Sequence, residues 1–323
     1  MPGGELEKKG VGEVWLNGNK LAELPETENW NGVVVVYVQA NLLKKLPGCI
    51  KDWSVVEEVN LSANELTELP EDVGKWVKLK NFFCNDMVIN ALPDSVQNWT
   101  NLRVLELKNC GLTELPAAVG AFTAITSVTL SGNKLKSLPK EVGSWSHVKK
   151  MWIESNELET LPDEIGQWEA LEKFYINNNK LKSIPETLKN CKALTDFYAN
   201  SNLIEEFPMA VLDLPDVNKI YLNENNIKEI PEAIGKCTFL ELLYLNNNRI
   251  SSIPDTVSKL TKLQYLMLSN NNIKALPDSL EAFSGKNTLF SLVGNPIMED
   301  VKKEEEGDSM NYDDLKKCLE EKE

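Results

Sequence analysis

Proline recurs in this sequence with a nearly constant spacing. The first step between twelve prolines is 22 residues and every later step is 23, at positions 25, 47, 70, 93, 116, 139, 162, 185, 208, 231, 254 and 277. A fixed period of this length is typical of a chain built from one repeated supersecondary unit, in which each unit packs only on its neighbours. The sequence therefore predicts a solenoid.

Asparagine marks a second position of the repeat, six residues before the proline. It stands at positions 19, 41, 64, 133, 156, 179, 202, 225, 248 and 271. An amide both donates and accepts hydrogen bonds, so a stacked row of amides can satisfy backbone groups that are buried between turns. Cys110 is a tolerated substitute, whereas Met87 cannot bond in this way. The unit around Met87 is therefore predicted to be irregular.

The rest of the unit combines a short strand with a short turn. The pattern LxxLxL predicts a strand with inward-facing apolar residues, and the segment after each proline predicts a polar helix or turn. An apolar residue six positions after the proline is expected to fill the core, as at Trp53, Trp76, Trp99, Phe122, Trp145, Trp168, Leu214 and Leu260. The predicted fold class is an α/β repeat solenoid with a parallel concave sheet of about 13 strands and short helices or turns on the convex side.

The unit LPxxVGxWxxLxxLxLxxNxLxxLP resembles the intracellular Ras-group leucine-rich-repeat family over roughly residues 11–298. The resemblance implies a leucine-rich-repeat horseshoe. It also implies a cytoplasmic scaffold or adaptor whose relatives bind small GTPases, phosphatase subunits or cytoskeletal adaptors, mostly through the concave face.

Three segments follow from the pattern: an N-terminal tail over residues 1–10, the solenoid over 11–298, and an acidic linker with a C-terminal capping helix over 299–323. Asn311 is the expected N-cap of that helix. Tyr312, Leu315 and Leu319 share one face, which we expect to cover the last repeat.

The charge and the cysteines limit the possible partners and the compartment. A net charge of −15 disfavours nucleic acid and membrane insertion and favours another protein as partner. Six cysteines without a CxxC pair indicate a reducing, cytoplasmic environment. His147 is the only histidine, and no catalytic, phosphate-binding or metal-ligating spacing is present. We therefore expect a non-enzymatic chain without cofactor or metal, monomeric when free.

A candidate binding surface follows from the outward position between the two strand leucines. This column carries Trp152, Tyr175, Tyr198, Tyr221 and Tyr244 in consecutive repeats. If about half of each ring is exposed, the column offers several hundred Å², which a free monomer seldom shows without a use. Beside it lie Asn177, Asn200, Asn223 and Asn246, flanked by Lys150, Lys173 and Lys219. The alternative is a cross-strand aromatic ladder that only stabilises the sheet.

Phe83, Arg103 and Glu106 form a second candidate contact area where the aromatic column is interrupted. Simple decay of the repeat explains this region equally well. The predicted function is a protein-binding scaffold or adaptor acting through the concave face, in small-GTPase or phosphatase signalling according to the family resemblance. The alternative function is a structural subunit of a large cytoskeletal or axonemal assembly.

Overall fold

The computed structural model describes residues 12–26, 30–299 and 309–321. The predicted tail over residues 1–10 and most of the acidic linker lie outside these ranges. The chain divides into two compact units, Met1–Glu157 and Leu158–Glu323, which we call unit 1 and unit 2.

Each repeat contributes one three-residue strand. Unit 1 contains β1 (Glu13–Trp15), β2 (Val35–Tyr37), β3 (Glu58–Asn60), β4 (Asn81–Phe83), β5 (Val104–Glu106), β6 (Ser127–Thr129) and β7 (Lys150–Trp152). Unit 2 contains β8 (Lys173–Tyr175), β9 (Asp196–Tyr198), β10 (Lys219–Tyr221), β11 (Leu242–Tyr244), β12 (Tyr265–Met267) and β13 (Leu289–Ser291).

Within each unit the strands are parallel, and each pairs with the next repeat in register. The middle residue of every strand is buried, and the third residue is at least partly exposed except in β12 and β13, where it is buried too. We call the outward side of the strands the strand face. The predicted repeat solenoid with parallel strands and short turns is confirmed.

Short helices return the chain behind the strands. The 3-10 helices of unit 1 are Gly48–Asp52, Glu71–Lys75, Asp94–Asn98, Ala117–Ala121 and Lys140–Ser144. Those of unit 2 are Asp163–Gln167, Glu186–Asn190, Glu232–Lys236, Asp255–Lys259, Asp278–Phe283 and Pro296–Met298, and α1 (Met209–Leu212) takes this place in one repeat.

The repeat prolines precede these helices instead of opening them. Pro70, for example, is the extended N-cap residue before Glu71–Lys75. Acidic residues after the proline can also accept hydrogen bonds from the next repeat. The Glu26 carboxylate accepts hydrogen bonds from the backbone N–H groups of Gly48 (2.6 Å) and Cys49 (2.9 Å). These carboxylates therefore tie adjacent turns together.

The asparagine row forms the predicted ladder. Asn202 Oδ1 accepts from the Leu181 N–H in the preceding repeat (3.1 Å), and its Nδ2 donates to the carbonyls of Ile176 (3.0 Å) and Ala199 (3.2 Å). Asn202 therefore joins two repeats and satisfies three buried backbone groups, whereas Asn19 is exposed and bonds only the carbonyls of Leu16 and Asn17 in its own repeat. The thiol of Cys110 donates to the Cys84 carbonyl, so cysteine serves part of this role.

Met87 interrupts the ladder in unit 1. In the neighbouring repeat the equivalent backbone donor, the Leu43 N–H, bonds Asn64 Oδ1 at 3.1 Å. The Leu66 N–H should meet position 87 in the same way, but a thioether is a poor acceptor, and no described residue accepts from this buried N–H. The predicted irregularity at Met87 is therefore a local loss of hydrogen bonding.

The tryptophans after the prolines are buried in unit 1 and stack on one another. The ring centroids of Trp53 and Trp76 lie 5.7 Å apart, and those of Trp76 and Trp99 lie 6.3 Å apart. The indole Nε1 of Trp99 donates to the Val73 carbonyl of the preceding repeat at 2.9 Å. Trp76 and Trp99 thus each add a hydrogen bond that leucine cannot make, whereas the buried Nε1 of Trp53 bonds no described residue.

The C-terminal helix α2 (Tyr312–Glu320) packs on the last repeat. Asn311 Oδ1 accepts from the Asp314 N–H at 2.9 Å, as expected for an N-cap. Phe290 and Met310 form an antiparallel bridge, and Tyr312 packs against the Phe290 ring. Buried Leu315 completes this contact. The final hydrophobic layer of unit 2 is therefore shielded from water.

Candidate functional site

Four tyrosines form a continuous stack on the strand face of unit 2. The ring centroids are 4.4 Å apart for Tyr175 and Tyr198, 4.6 Å for Tyr198 and Tyr221, and 4.5 Å for Tyr221 and Tyr244. The adjacent ring planes lie within 20° of each other. The parallel register places one ring on each strand, and the strand spacing suits face-to-face stacking. We call this row the tyrosine ladder.

Stacking changes what the tyrosine ladder offers to a partner. Every ladder tyrosine is of intermediate exposure, so the ladder offers less open ring face than isolated tyrosines would. Neighbouring rings cover each other's faces, so mainly ring edges and hydroxyl groups reach solvent. Tyr265 extends the row at 6.5 Å from Tyr244 in a tilted arrangement. The sequence reasoning missed Tyr265 because it lies at the first outward position of its strand and not at the third.

The pKa values of the ladder hydroxyls reflect this packing. Burial raises the pKa of Tyr198, and nearby Asp196 and the neighbouring tyrosines raise it further. Burial also raises the pKa of Tyr221 and of Tyr244, with smaller contributions from neighbouring tyrosines in both cases and from Asp196 at Tyr221. The hydroxyls of Tyr198, Tyr221 and Tyr244 therefore stay uncharged at neutral pH and can exchange hydrogen bonds with a ligand.

The asparagine row beside the tyrosine ladder presents donors to solvent. Asn200 Oδ1 accepts from the Asn223 N–H, and Asn223 Oδ1 accepts from the Asn246 N–H, each at 2.8 Å. Asn177 and Asn246 form equivalent bonds to the next repeat. The side-chain oxygens are thus used within the chain. The Nδ2 groups of Asn200, Asn223 and Asn246 bond no described residue and remain available to a partner's acceptors.

Two of the predicted lysines lie over a buried carboxylate. Asp196 is 5% exposed, and its Oδ2 lies 3.5 Å from the Lys173 Nζ and 3.7 Å from the Lys219 Nζ. Strand register places Asp196 between the two lysines. These lysines therefore balance an internal charge as well as facing solvent. The sequence alone did not reveal the burial of Asp196.

The remaining predicted site residues lie in unit 1. Trp152 and exposed Lys150 are on β7. Phe83 and Glu106 are partners in the register of β4 and β5, so the structure brings them together on the strand face. Arg103 is exposed just before β5 and does not share their outward position.

Three of the buried cysteines have thiols that are poor nucleophiles. Burial raises the pKa of Cys110 and of Cys191 to about 12 and that of Cys237 to about 11, which suppresses the nucleophilic thiolate. Among the residues that the structure describes, no group of three or more histidine, cysteine, aspartate or glutamate side chains is arranged to hold a metal. No helix within the described ranges has the length and apolar character needed to cross a bilayer.

Family comparisons identify the repeat. A model described as "Leucine Rich repeats (2 copies)" matches residues 215–255 and 238–282, and one described as "Leucine Rich Repeat" matches residues 170–191. All these matches fall in unit 2. A search of the curated proteins finds no match to the sequence.

Solved structures support the same fold at low sequence identity. A leucine-rich-repeat protein of Leptospira interrogans is 22% identical, with a TM-score of 0.62, and the match covers 97% of this chain and 95% of that chain. An internalin of Listeria monocytogenes is 18% identical, with a TM-score of 0.69 and 85% of both chains covered. One chain of a solved octameric complex of latrophilin 3, Unc5D and the leucine-rich-repeat part of FLRT2 is 21% identical, with a TM-score of 0.69. The match covers 84% of this chain and 85% of that chain.

Residues 170–191 and 215–282 therefore match leucine-rich-repeat models, and the fold of the described chain is that of a leucine-rich-repeat solenoid. Such repeats commonly serve as non-enzymatic scaffolds that bind other proteins.

Proposed function

We propose that this chain is a non-enzymatic scaffold that binds a partner protein through the strand face of unit 2. The observation that carries the proposal is the tyrosine ladder, whose ring centroids repeat every 4.4–4.6 Å. A row of rigid aromatic side chains with hydroxyl tips provides apolar contact and hydrogen bonding with little loss of side-chain entropy on binding.

The neighbouring asparagines support a hydrogen-bonding role for the same face. Their Nδ2 groups donate, since their oxygens already accept from backbone N–H groups. The complementary partner surface is rich in acceptors, such as backbone carbonyls or carboxylates. A similar fold is found in a solved complex that contains latrophilin 3, Unc5D and the leucine-rich-repeat part of FLRT2. That precedent supports protein recognition without indicating this chain's partner.

The resemblance of the repeat to intracellular Ras-group proteins gives the proposal a finer form. The scaffold acts in the cytoplasm as a free monomer, and its partner belongs to small-GTPase or phosphatase signalling. Proximity labelling in the native cell tests this assignment, because it records the compartment and the neighbouring proteins together. Recovery of only secreted or cell-surface proteins would contradict it.

The binding face is tested by changing Tyr198→Leu together with Tyr221→Leu. Leucine retains apolar packing but removes the rings and hydroxyls at the centre of the ladder. Proteins recovered with the wild-type chain should be lost, while the unfolding curve changes little. The matched control changes Val55→Ala and Val77→Ala, two exposed apolar residues of unit 1 away from the strand face.

Two outcomes would contradict the binding role of the tyrosine ladder. In one, the leucine variant recovers the same partners as the wild type. In the other, partner recovery by the tyrosine and valine variants declines only in proportion to stability, as expected of a purely structural ladder. Gel filtration of native extract provides a separate check, since permanent residence in a large assembly would favour a structural subunit over a free scaffold.

A further inference from the structure

A depression interrupts the strand face of unit 1. Its volume is about 410 Å³, and it is lined by Glu106, Lys108, Ser127, Thr129, Ser131, Trp152 and Glu154. The small side chains on and just after β6 form the floor, whereas longer side chains from the neighbouring repeats form the walls. The depression therefore follows from one repeat with short outward side chains between two repeats with long ones.

The floor carries hydroxyl groups without partners. Ser131 is only 9% exposed, and its hydroxyl bonds no described residue. The hydroxyls of Ser127 and Thr129 likewise have no hydrogen-bond partner within the described part of the chain. None of these three hydroxyl oxygens is fully enclosed, so they open onto the depression and can exchange hydrogen bonds with a polar ligand there.

The walls determine the charge of that ligand. Glu106 and Glu154 stand on opposite walls, and Glu106 Oε2 is oriented by a 3.0 Å hydrogen bond from Asn85 Nδ2. The lining holds these two carboxylates and one ammonium group, that of Lys108 at the exposed rim, while exposed Lys150 stands beside Ser127 in the register but outside the lining. Carboxylates accept hydrogen bonds and hydroxyls can also accept, so the lining suits a cation with several donors.

Trp152 determines the shape of the ligand. Glu106, Thr129 and Trp152 occupy the same position on three neighbouring strands. The backbones of Glu106 and Trp152 therefore lie two strand spacings apart, about 9.6 Å. A flat group can enter between them and stack on the indole. A guanidinium is planar, carries five N–H donors and is more weakly hydrated than an ammonium group, so it fits this site better than lysine does.

We propose that this depression receives an arginine side chain of a basic segment in the partner protein. The inference rests on the proposed protein-binding function and adds the chemistry of the partner. The chain's net charge of −15 favours approach of such a segment.

The test is an NMR titration that follows the indole N–H of Trp152, assigned with Trp152→Phe. The probe is the peptide N-acetyl-Gly-Arg-Gly-amide, and its neutral comparison contains citrulline, which retains the shape of arginine without the charge. We expect a saturable shift with the arginine peptide and at least tenfold weaker binding of the citrulline peptide. The change Glu106→Gln with Glu154→Gln should weaken arginine binding at least tenfold, whereas Glu114→Gln, in an exposed carboxylate outside the depression, should leave it unchanged.

Several results would overturn the arginine site: equal binding of both peptides, unchanged binding by the double glutamine variant, or preference for N-acetyl-Gly-Asp-Gly-amide. Unaltered unfolding curves exclude misfolding as the reason for a loss. The titration does not use the tyrosine ladder. If the ladder variant loses its partner and the wild-type chain does not bind the arginine peptide, only the proposed arginine site is rejected. If the wild-type chain binds the arginine peptide and the ladder variant still recovers its partners, the binding role of the tyrosine ladder is rejected instead.

Discussion

The two units place their stacked aromatic rows on opposite sides of the same repeat. In unit 1 the inner column after the prolines contains stacked Trp53, Trp76 and Trp99. In unit 2 this column continues beyond Trp168 as Cys191, Leu214, Cys237 and Leu260 before Phe283, and the stacked aromatic row lies on the strand face. A repeat backbone can therefore align rings along either column, since both repeat once per strand. A buried row of rings stabilises the core, whereas an outward row forms a surface that a partner can contact.

The units also differ in their spectroscopic residues. Seven of the eight tryptophans belong to unit 1, and six of the seven tyrosines belong to unit 2. Tryptophan fluorescence therefore reports mainly on unit 1, and tyrosine ionisation reports mainly on unit 2. The comparison can be tested unit by unit in the intact chain.

The largest expected effect is from Trp99→Ala in unit 1. Removing a fully buried ring that stacks on Trp76 and Phe122 should lower the free energy of unfolding by about 3–5 kcal/mol. Urea denaturation followed by tryptophan fluorescence measures this loss. The matched change in unit 2, Cys191→Ala, should cost only about 1 kcal/mol. Equal losses in the two variants would contradict the different roles of the inner columns.

A smaller loss is expected from Asn202→Ala in the unbroken asparagine ladder of unit 2. The change leaves the Leu181 N–H and two carbonyls without their side-chain partner, so unfolding should become easier by about 2–4 kcal/mol. Chemical denaturation measures the change. Asn202→Cys is the control and should lose less, because Cys110 fills the same position naturally. A greater loss with cysteine than with alanine would argue against this substitution rule.

Met87→Asn should act in the opposite direction in unit 1. An amide at this position can accept from the buried Leu66 N–H, so we expect a gain of about 1 kcal/mol. A higher urea midpoint would reveal the gain. Met87→Leu controls for the loss of the flexible thioether and should give no gain. Destabilisation by asparagine would indicate that the local backbone does not permit the ladder geometry.

The smallest effect is confined to alkaline pH. Unfolded tyrosines ionise near a pKa of about 10, but burial raises the folded-state pKa of Tyr198, Tyr221 and Tyr244. Above pH about 10 the unfolded chain therefore holds fewer protons than the folded chain, and stability falls as pH rises. The stability that depends on these protonated hydroxyls is fully present below pH about 10.

Tyr198→Phe with Tyr221→Phe should reduce the alkaline loss while preserving the stacked rings. Urea unfolding across the alkaline range, with a parallel tyrosinate absorbance titration, measures the change. Tyr37→Phe in unit 1 serves as the control. An identical slope for the double variant and the wild type would show that ionisation of the central ladder does not govern alkaline stability.

The sequence predicted the repeat architecture well because one physical pattern recurs along the chain. Its period predicted the strands, the asparagine ladder and the burial of the tryptophans, and the structure agrees on each. Met87 was identified as a gap because its side chain lacks the required donor and acceptor. The partner-binding role of the tyrosine column remains a prediction.

The period by itself determined which side of the repeat each residue faces. Only the tertiary structure decided how side chains from adjacent repeats meet: the tyrosines cover each other's faces, Asp196 is buried between Lys173 and Lys219, and short side chains around β6 leave a depression. The physical reason is that facing follows from backbone periodicity, whereas exposure, pairing and cavity shape depend on side-chain size and orientation across neighbouring strands.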